Sequence, residues 1–276
     1  MTNPTATVST KRGPGSPLEL ALLDLKEGMS KHELWMFLSW RDIQKQYSRS
    51  LIGPFWLTIS MGVMVAGMGL LYAVIFRIEV REYLPFLSVG LILWGFISNL
   101  LISSCAVYSS AAGTMRQVRL PLSVYIFQLV YNHLIIFGHN MIIYIAVALI
   151  FGIQPSLFTL LFFPAFALVL INGVFAAMIL GPVCARFRDV PMIIASLIQL
   201  TFFVTPIIWN AEQLPERAMF VHFNPFFHFI EIVRAPLLGG SASVENWVVS
   251  IGITLVLGFI SLAFFARYRS RVAYWV

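Results

Sequence analysis

Apolar residues run along this chain in long blocks rather than alternating with polar ones. A hydrocarbon layer of about 30 Å takes roughly 20 residues of helix at 1.5 Å each. Six blocks reach that length without an Asp, Glu, Lys or Arg, and they predict membrane spans over about 54–76, 84–113, 122–151, 156–182, 190–211 and 247–266. The third and fourth share one uncharged run, divided by the turn sequence Gly152-Ile153-Gln154-Pro155-Ser156. Asp189 stands where the fifth span needs an N-cap, with Pro191 in its first turn, where a missing N–H costs little.

A seventh block, 218–238, is rich in Phe, Ile and Leu but carries His222, Asn224, Pro225, His228, Glu231, Arg234 and Pro236. Charges at a helix centre cost about 2.5–3.5 kcal/mol each on insertion scales. The block is therefore expected as a broken or re-entrant helix pair on the outer face, within an outer segment 212–245, since irregular backbone survives at membrane depth only when buried in protein or lining water. Glu231 and Arg234, three residues apart, can pair on a helix.

Before the first span, 33–53 reads as an amphipathic helix: Met36, Trp40, Ile43 and Tyr47 fall on one side at 100° per residue, while Arg41, Lys45 and Arg49 fall opposite, with Asp42 beside them. Such a helix either lies in the headgroup boundary or packs on the inner rim of the bundle. Residues 1–32, with Pro4, Gly13, Pro14, Gly15 and Pro17, are expected as a flexible cytoplasmic tail, and 267–276 as the cytoplasmic C-terminal tail after the last span.

Composition agrees with the block pattern. Of 276 residues, 59% are hydrophobic and 11% charged, and the mean hydropathy is +0.85, which excludes a disordered or collagen-like chain. The net charge of +6 lies along the flanks of the apolar blocks, so it argues against nucleic-acid binding and for a topology signal. With six crossings, fourteen of the 18 Lys and Arg fall on one side; this side is the cytoplasm by the positive-inside rule, and both termini lie there. Cys105 and Cys184 sit in apolar surroundings without disulfide or zinc spacing and read as core residues.

The polar groups inside the spans narrow the chemistry. Tyr125, Gln128, Asn132 and His139 share one face of the third span, with His133 and Asn140 a quarter turn away. They suit interhelical hydrogen bonds, or a polar passage, better than a proton relay, because no span holds a carboxylate. Gly62, Ala66, Gly69 and Ala73 form a small-residue stripe in the first span, within one chain or between two. The loop 114–121 is short and basic, and joins two long spans. No G-x-x-x-x-G-K-[ST], H-E-x-x-H or G-x-S-x-G occurs, so no nucleotide cradle, cofactor site, metal site or catalytic constellation is expected in this chain.

Four stretches carry a family resemblance: Trp40-Arg41-Asp42-Ile43 through Leu51-Ile52-Gly53-Pro54-Phe55-Trp56, Val118-Arg119-Leu120-Pro121, Phe187-Arg188-Asp189-Val190, and Arg269-Ser270-Arg271-Val272-Ala273-Tyr274-Trp275. In this order, over about residues 35–276, the chain resembles the permease subunit of ABC exporters for O-antigen and related cell-surface polysaccharides. Ile52 departs from the Leu more usual before that glycine, without consequence.

The resemblance implies an all-α membrane protein of the bacterial inner membrane, with six transmembrane helices, an N-terminal amphipathic interface helix and a short gate-helix pair between the fifth and sixth spans. It implies pairing with a second copy and with two ATPase subunits that bind ATP and Mg in its stead, and a polyprenyl-diphosphate-linked polysaccharide as cargo. Arg116, Gln117, Arg119 and Pro121 would then couple to the ATPase. Trp40, Arg41, Asp42, Lys45 and Arg49 would belong to the interface helix, and Asn224, Pro225, Glu231 and Arg234 to the outer gate. Phe55, Trp56, Trp94, Tyr125, Asn132 and His139 are the candidates for lining the channel. Exporters of teichoic acid, capsule or lipid share this architecture; a secondary transporter or channel would show inverted repeats or half-broken spans, which are not visible.

Overall fold

The computed structural model describes residues 15–47, 53, 55–210 and 221–276. These residues form helices α1 (Pro17–Ser30), α2 (His32–Tyr47), α3 (Phe55–Phe76), α4 (Val80–Ser104), α5 (Val107–Ser110), α6 (Ala112–Gln117), α7 (Leu122–Phe151), α8 (Phe162–Arg186, entered through a 3-10 turn at Leu157–Leu161), α9 (Val190–Val204), α10 (Pro225–Leu237) and α11 (Val244–Trp275), and among them there is no strand. Five helices are long and apolar enough to cross a membrane, namely α3, α4, α7, α8 with its entering turn, and α11, while α9 is a shorter apolar helix. The protein is a multi-pass membrane protein.

The core sits where α4, α7 and α8 meet. Phe137 stacks on Phe166 at 4.4 Å between ring centroids, Phe96 lies 5.3 Å from each, and Phe162 extends the cluster. Helix α4 is the most enclosed span, with Leu87, Ile92, Leu93 and Leu100 nearly inaccessible. Inside lipid, packing rather than exclusion of water holds helices together, so small residues mark the closest approaches. In α3, a side chain at Gly69 would strike Leu84 of α4 and one at Gly62 would touch Ile143 of α7. Ala73 is buried as well, while Ala66 faces out. Most of the small-residue stripe therefore serves contacts within the chain.

Four expected boundaries are corrected. Residues 17–30 are a helix, not a flexible tail: the Ser16 hydroxyl accepts from the Glu19 N–H, Pro17 starts the first turn, and Ala21 and Gly28 are buried against neighbouring helices. The second span begins at Val80 and ends at Ser104 instead of running 84–113. Its charged first turn, Arg81 and Glu82, lies beyond the apolar block, and at its far end Cys105 caps back onto Ile102 and Ser103 before the short α5 and α6.

The fifth apolar block is helical only to Val204; Thr205 turns extended (φ −91°, ψ 135°) because Pro206 follows and excludes α geometry from the residue before it. Residues 267–276 continue α11 as far as Trp275, with no Pro or Gly to stop it. Of the predicted 33–53 interface helix, residues 33–47 are helical; Arg49 lies outside the described residues, as does 212–220 of the outer segment.

Candidate functional site

Three groups of side chains stand out, at the two ends of the bundle and in a cleft between them.

At the end of the bundle where α7 begins and α11 finishes, α2 lies along the first half of α7. The Ser39 hydroxyl donates to the carbonyls of Trp35 and Gln128, each at 2.8 Å, Gln128 Nε2 donates to Asp42 Oδ2 at 2.6 Å, and Trp35 packs edge-on to Tyr131 at 5.3 Å. Ile43 faces inward and is buried, while Met36, Phe37 and Trp40 are exposed. The predicted apolar stripe is thus divided: one side docks on α7 and the other is exposed apolar surface. Arg41 and Lys45 are exposed.

The start of α7 is capped in an unexpected way. Pro121 precedes it and offers no side-chain acceptor, so the first N–H groups need another partner. Asp24 of α1 supplies it: Oδ2 accepts from the Leu122 N–H at 3.1 Å and Oδ1 from the Ser123 N–H at 3.0 Å, and the Ser123 hydroxyl donates to the Asp24 carbonyl at 2.7 Å. Arg269 Nη1 of α11 lies 3.4 Å from the same carboxylate. Gly28 permits this approach, since a Cβ there would fall 2.1 Å from Ser123 Oγ. Nearby Tyr108 is fully enclosed without a hydrogen-bond partner, and burial, reinforced by the Asp24 charge, holds its phenol well above the ordinary tyrosine range.

Below this hub, α6 projects Arg116, Gln117 and, just after it, Arg119 into the open. Arg116 Nη2 donates to the carbonyl of Val276 at 3.0 Å, and Arg186 stacks at 5.3 Å over Trp275, so α6, α8 and the end of α11 are tied together. Pro121 is half-buried.

The second group lines a cleft of about 310 Å3 among α2, α3, α4 and α7. Gln46, Asn99, Asn132, His133 and Asn140 reach it. His133 Nδ1 lies 3.0 Å from the Leu129 carbonyl, and Asn132 donates to the Ser39 carbonyl at 3.5 Å. The Asn140 side-chain carbonyl is buried without a protein partner.

The third group gathers at the opposite end. Asn224 caps α10, accepting from the Phe226 N–H at 3.0 Å and donating to Thr205 Oγ1 at 2.8 Å, with Pro225 in the first turn. His228 is enclosed, with Nδ1 2.7 Å from Asn246 Oδ1 and Nε2 2.8 Å from the His222 carbonyl. Arg234, 2% exposed, pairs with Glu231, donates from Nη1 to the Pro206 carbonyl at 2.9 Å, and sets its guanidinium 3.9 Å from the centre of the Phe86 ring. Tyr83 donates to the Ile208 carbonyl at 2.6 Å. Together these hold the non-helical stretch after α9 between α4 and α10.

The channel candidates do not converge within one chain. Phe55 lies edge-on to His139 at 6.0 Å with Trp56 exposed beside it, and Trp94 packs on Phe202 and Phe226 at 5.9 and 5.6 Å, joining α4 to α9 and α10. Tyr125 is buried near the Asp24 end of α7 and Asn132 faces the cleft. Asp24, Tyr83 and Phe86 were missed by the sequence reading. For Asp24 the one available signal is Pro121, a helix start that cannot cap itself.

Comparison with known proteins places these features in context. Residues 33–238 match the family model for the ABC-2 type transporter. Two Klebsiella pneumoniae proteins named O-antigen export system permease protein RfbA are 24% identical over 247 residues and 21% identical over 243 residues, each alignment covering 87% of this chain and 94% of the relative. A Myxococcus xanthus protein of the same name is 24% identical over 199 residues, covering 71% of this chain and 76% of the relative.

Proposed function

The chain belongs to the ABC-2 type transporter family, and from that premise we propose that it is the permease half of an ATP-driven exporter carrying polyprenyl-diphosphate-linked O-antigen or a related polysaccharide outward across the bacterial inner membrane. The observation that carries this reading is the similarity to O-antigen export permeases along nearly their full length. In this reading the chain works as a pair with a second copy. Two separate ATPase subunits bind ATP and Mg and dock at the end where both termini lie, in the cytoplasm.

The exposed α6, with Arg116, Gln117 and Arg119, receives the ATPase stroke, and Pro121 passes it directly into α7. Helix α2, with Trp40 and Arg41 outward, rides at the membrane boundary and leans on α7 through Ser39 and Asp42, so α2 and α7 move together. Helix α9 with the stretch after it forms the fifth of six crossings, and α10 belongs to the outer gate. At 13 residues, about 20 Å, α10 is too short to cross on its own. Phe55 and Trp56, exposed on the single chain, meet the cargo only across the junction of two copies.

The test is co-expression with the candidate ATPase, co-purification, and ATP hydrolysis measured with and without lipid-linked glycan. Stimulation by the glycan is expected from the complex and no hydrolysis from this chain alone. Reversing Arg116 and Arg119 together to Glu should abolish co-purification while the permease still inserts; full export by that variant would refute the coupling role.

A further inference from the structure

Between the start of α1 and the last membrane-embedded turns of α11 lies an open groove of about 870 Å3. One wall is Leu18 and Leu20 of α1; the other is Phe259 and Leu262 of α11, with Ala263 and Ala266 leaving room between them. At the end of the groove where the apolar sequence of α11 gives out stand Arg267 and Arg269. Among the described residues lining it there is no acid.

The two arginines differ in a useful way. Arg267 is exposed, its guanidinium 5.9 Å from the Tyr268 ring centre. Arg269 is held by Asp24, whose carboxylate is itself occupied by the first N–H groups of α7. One bond to Asp24 leaves most of the five guanidinium donors of Arg269 unused and fixes their direction. An apolar trough with two arginines at one end, where the apolar sequence of a span gives out, matches one class of molecule: acyl chain below, phosphate above. A zwitterionic lipid meets the same trough, but its own ammonium competes for the phosphate. Charge complementarity therefore favours a lipid with net negative charge.

We propose that this groove binds an anionic phospholipid of the leaflet on the side of the two termini, its phosphate on Arg267 and Arg269 and an acyl chain between α1 and α11. The bound lipid fills the gap that the protein leaves between these helices and fastens α1, and through Asp24 the start of α7, to the membrane surface. The site is independent of what the protein transports.

The full chain, purified in detergent with dioleoyl-phosphatidylglycerol or dioleoyl-phosphatidylcholine, should retain the former selectively through graded delipidation, as counted by native mass spectrometry. Arg267→Gln should weaken that retention about fivefold, and Arg267→Lys should largely preserve it. Ala263→Trp, which occupies the trough without touching charge, should lower retention too, and thermal unfolding checks that each variant is folded. Equal retention of the two lipids by the parent chain would overturn the proposal, as would unchanged retention in both Arg267→Gln and Ala263→Trp. Dissociation of a dimer in these variants with lipid retention unaltered would also overturn it, because a second copy would then be the occupant.

Discussion

Removing the Arg234 side chain tests how the end opposite the termini is held. The residue is 2% exposed and makes three contacts: the Glu231 carboxylate, the Pro206 carbonyl at 2.9 Å, and the Phe86 ring at 3.9 Å. A hydrogen bond from a charged group is worth about 1.5–3 kcal/mol, and a desolvated cation–π contact about 2 kcal/mol. Against these stands the large cost of taking the guanidinium out of water, so the contributions do not simply add. Breaking a buried pair from one side costs about 3–5 kcal/mol, because the partner charge is left behind. Glu231 is 22% exposed, so water recovers part of that penalty and about 3 kcal/mol is expected for Arg234→Met.

At about 2–4 °C per kcal/mol, this lowers the unfolding midpoint in detergent by roughly 6–12 °C. Arg234→Met combined with Glu231→Leu removes both charges and should recover more than half of the loss. Exchanging the two residues restores the ion pair but puts a carboxylate against the Pro206 carbonyl and the face of Phe86, both of which repel it. The exchange should therefore be no better than the single loss. A midpoint within 2 °C of the parent for Arg234→Met, or full rescue by the exchange, would refute the clasp.

Three further outcomes are expected. Asp24→Ala leaves the Leu122 and Ser123 N–H groups without their cap and should cost about 1–2 kcal/mol, visible as faster amide exchange at these two positions and not at the far end of α7. Gly28→Ala forces α1 away from Ser123 and should destabilise by about 1–3 kcal/mol; a Ser123→Gly background should relieve most of it, and an equal effect in both backgrounds would remove the close approach from the account. Tyr83→Phe deletes the bond to the Ile208 carbonyl and should cost about 1 kcal/mol while increasing protease access to the stretch after α9; unchanged cleavage there would count against it.

Long spans were legible because their cause is local: an uncharged block of sufficient length has few fates other than a membrane helix. Glu231 and Arg234 were readable as a pair for the same reason, being one turn apart. What spacing cannot show is contact between distant segments. Asp24 lies in a region that reads as a tail, and only the meeting of α1 with a helix start lacking its own cap gives it a role. Phe86 and Pro206 are ordinary in sequence and become partners of Arg234 only when α4, α9 and α10 come together. The division of the α2 stripe was hidden as well, since Ile43 and Trp40 have the same period and differ only in which neighbour each one faces.

The end of α9 joins these strands. Its 15 residues span about 22 Å, short of a hydrocarbon core of about 30 Å, and Pro206 prevents the helix from continuing. If the fifth apolar block is a crossing, as proposed, its last part crosses as irregular backbone, whose carbonyls must find donors inside the protein. Two of them take side-chain donors: Arg234 holds Pro206 and Tyr83 holds Ile208, while Asn224 binds the Thr205 side chain. The buried charge of α10, which argues against that segment as a span, is on this view what allows its neighbour to be one. Arg234→Met should then disturb the outer end of α9 before it disturbs α10 itself. Cysteine labelling at Ile207 and at Phe229, each buried in the parent chain, separates the two: faster labelling at Ile207 alone supports the argument, and equal acceleration at both would mean that α10 has simply come loose.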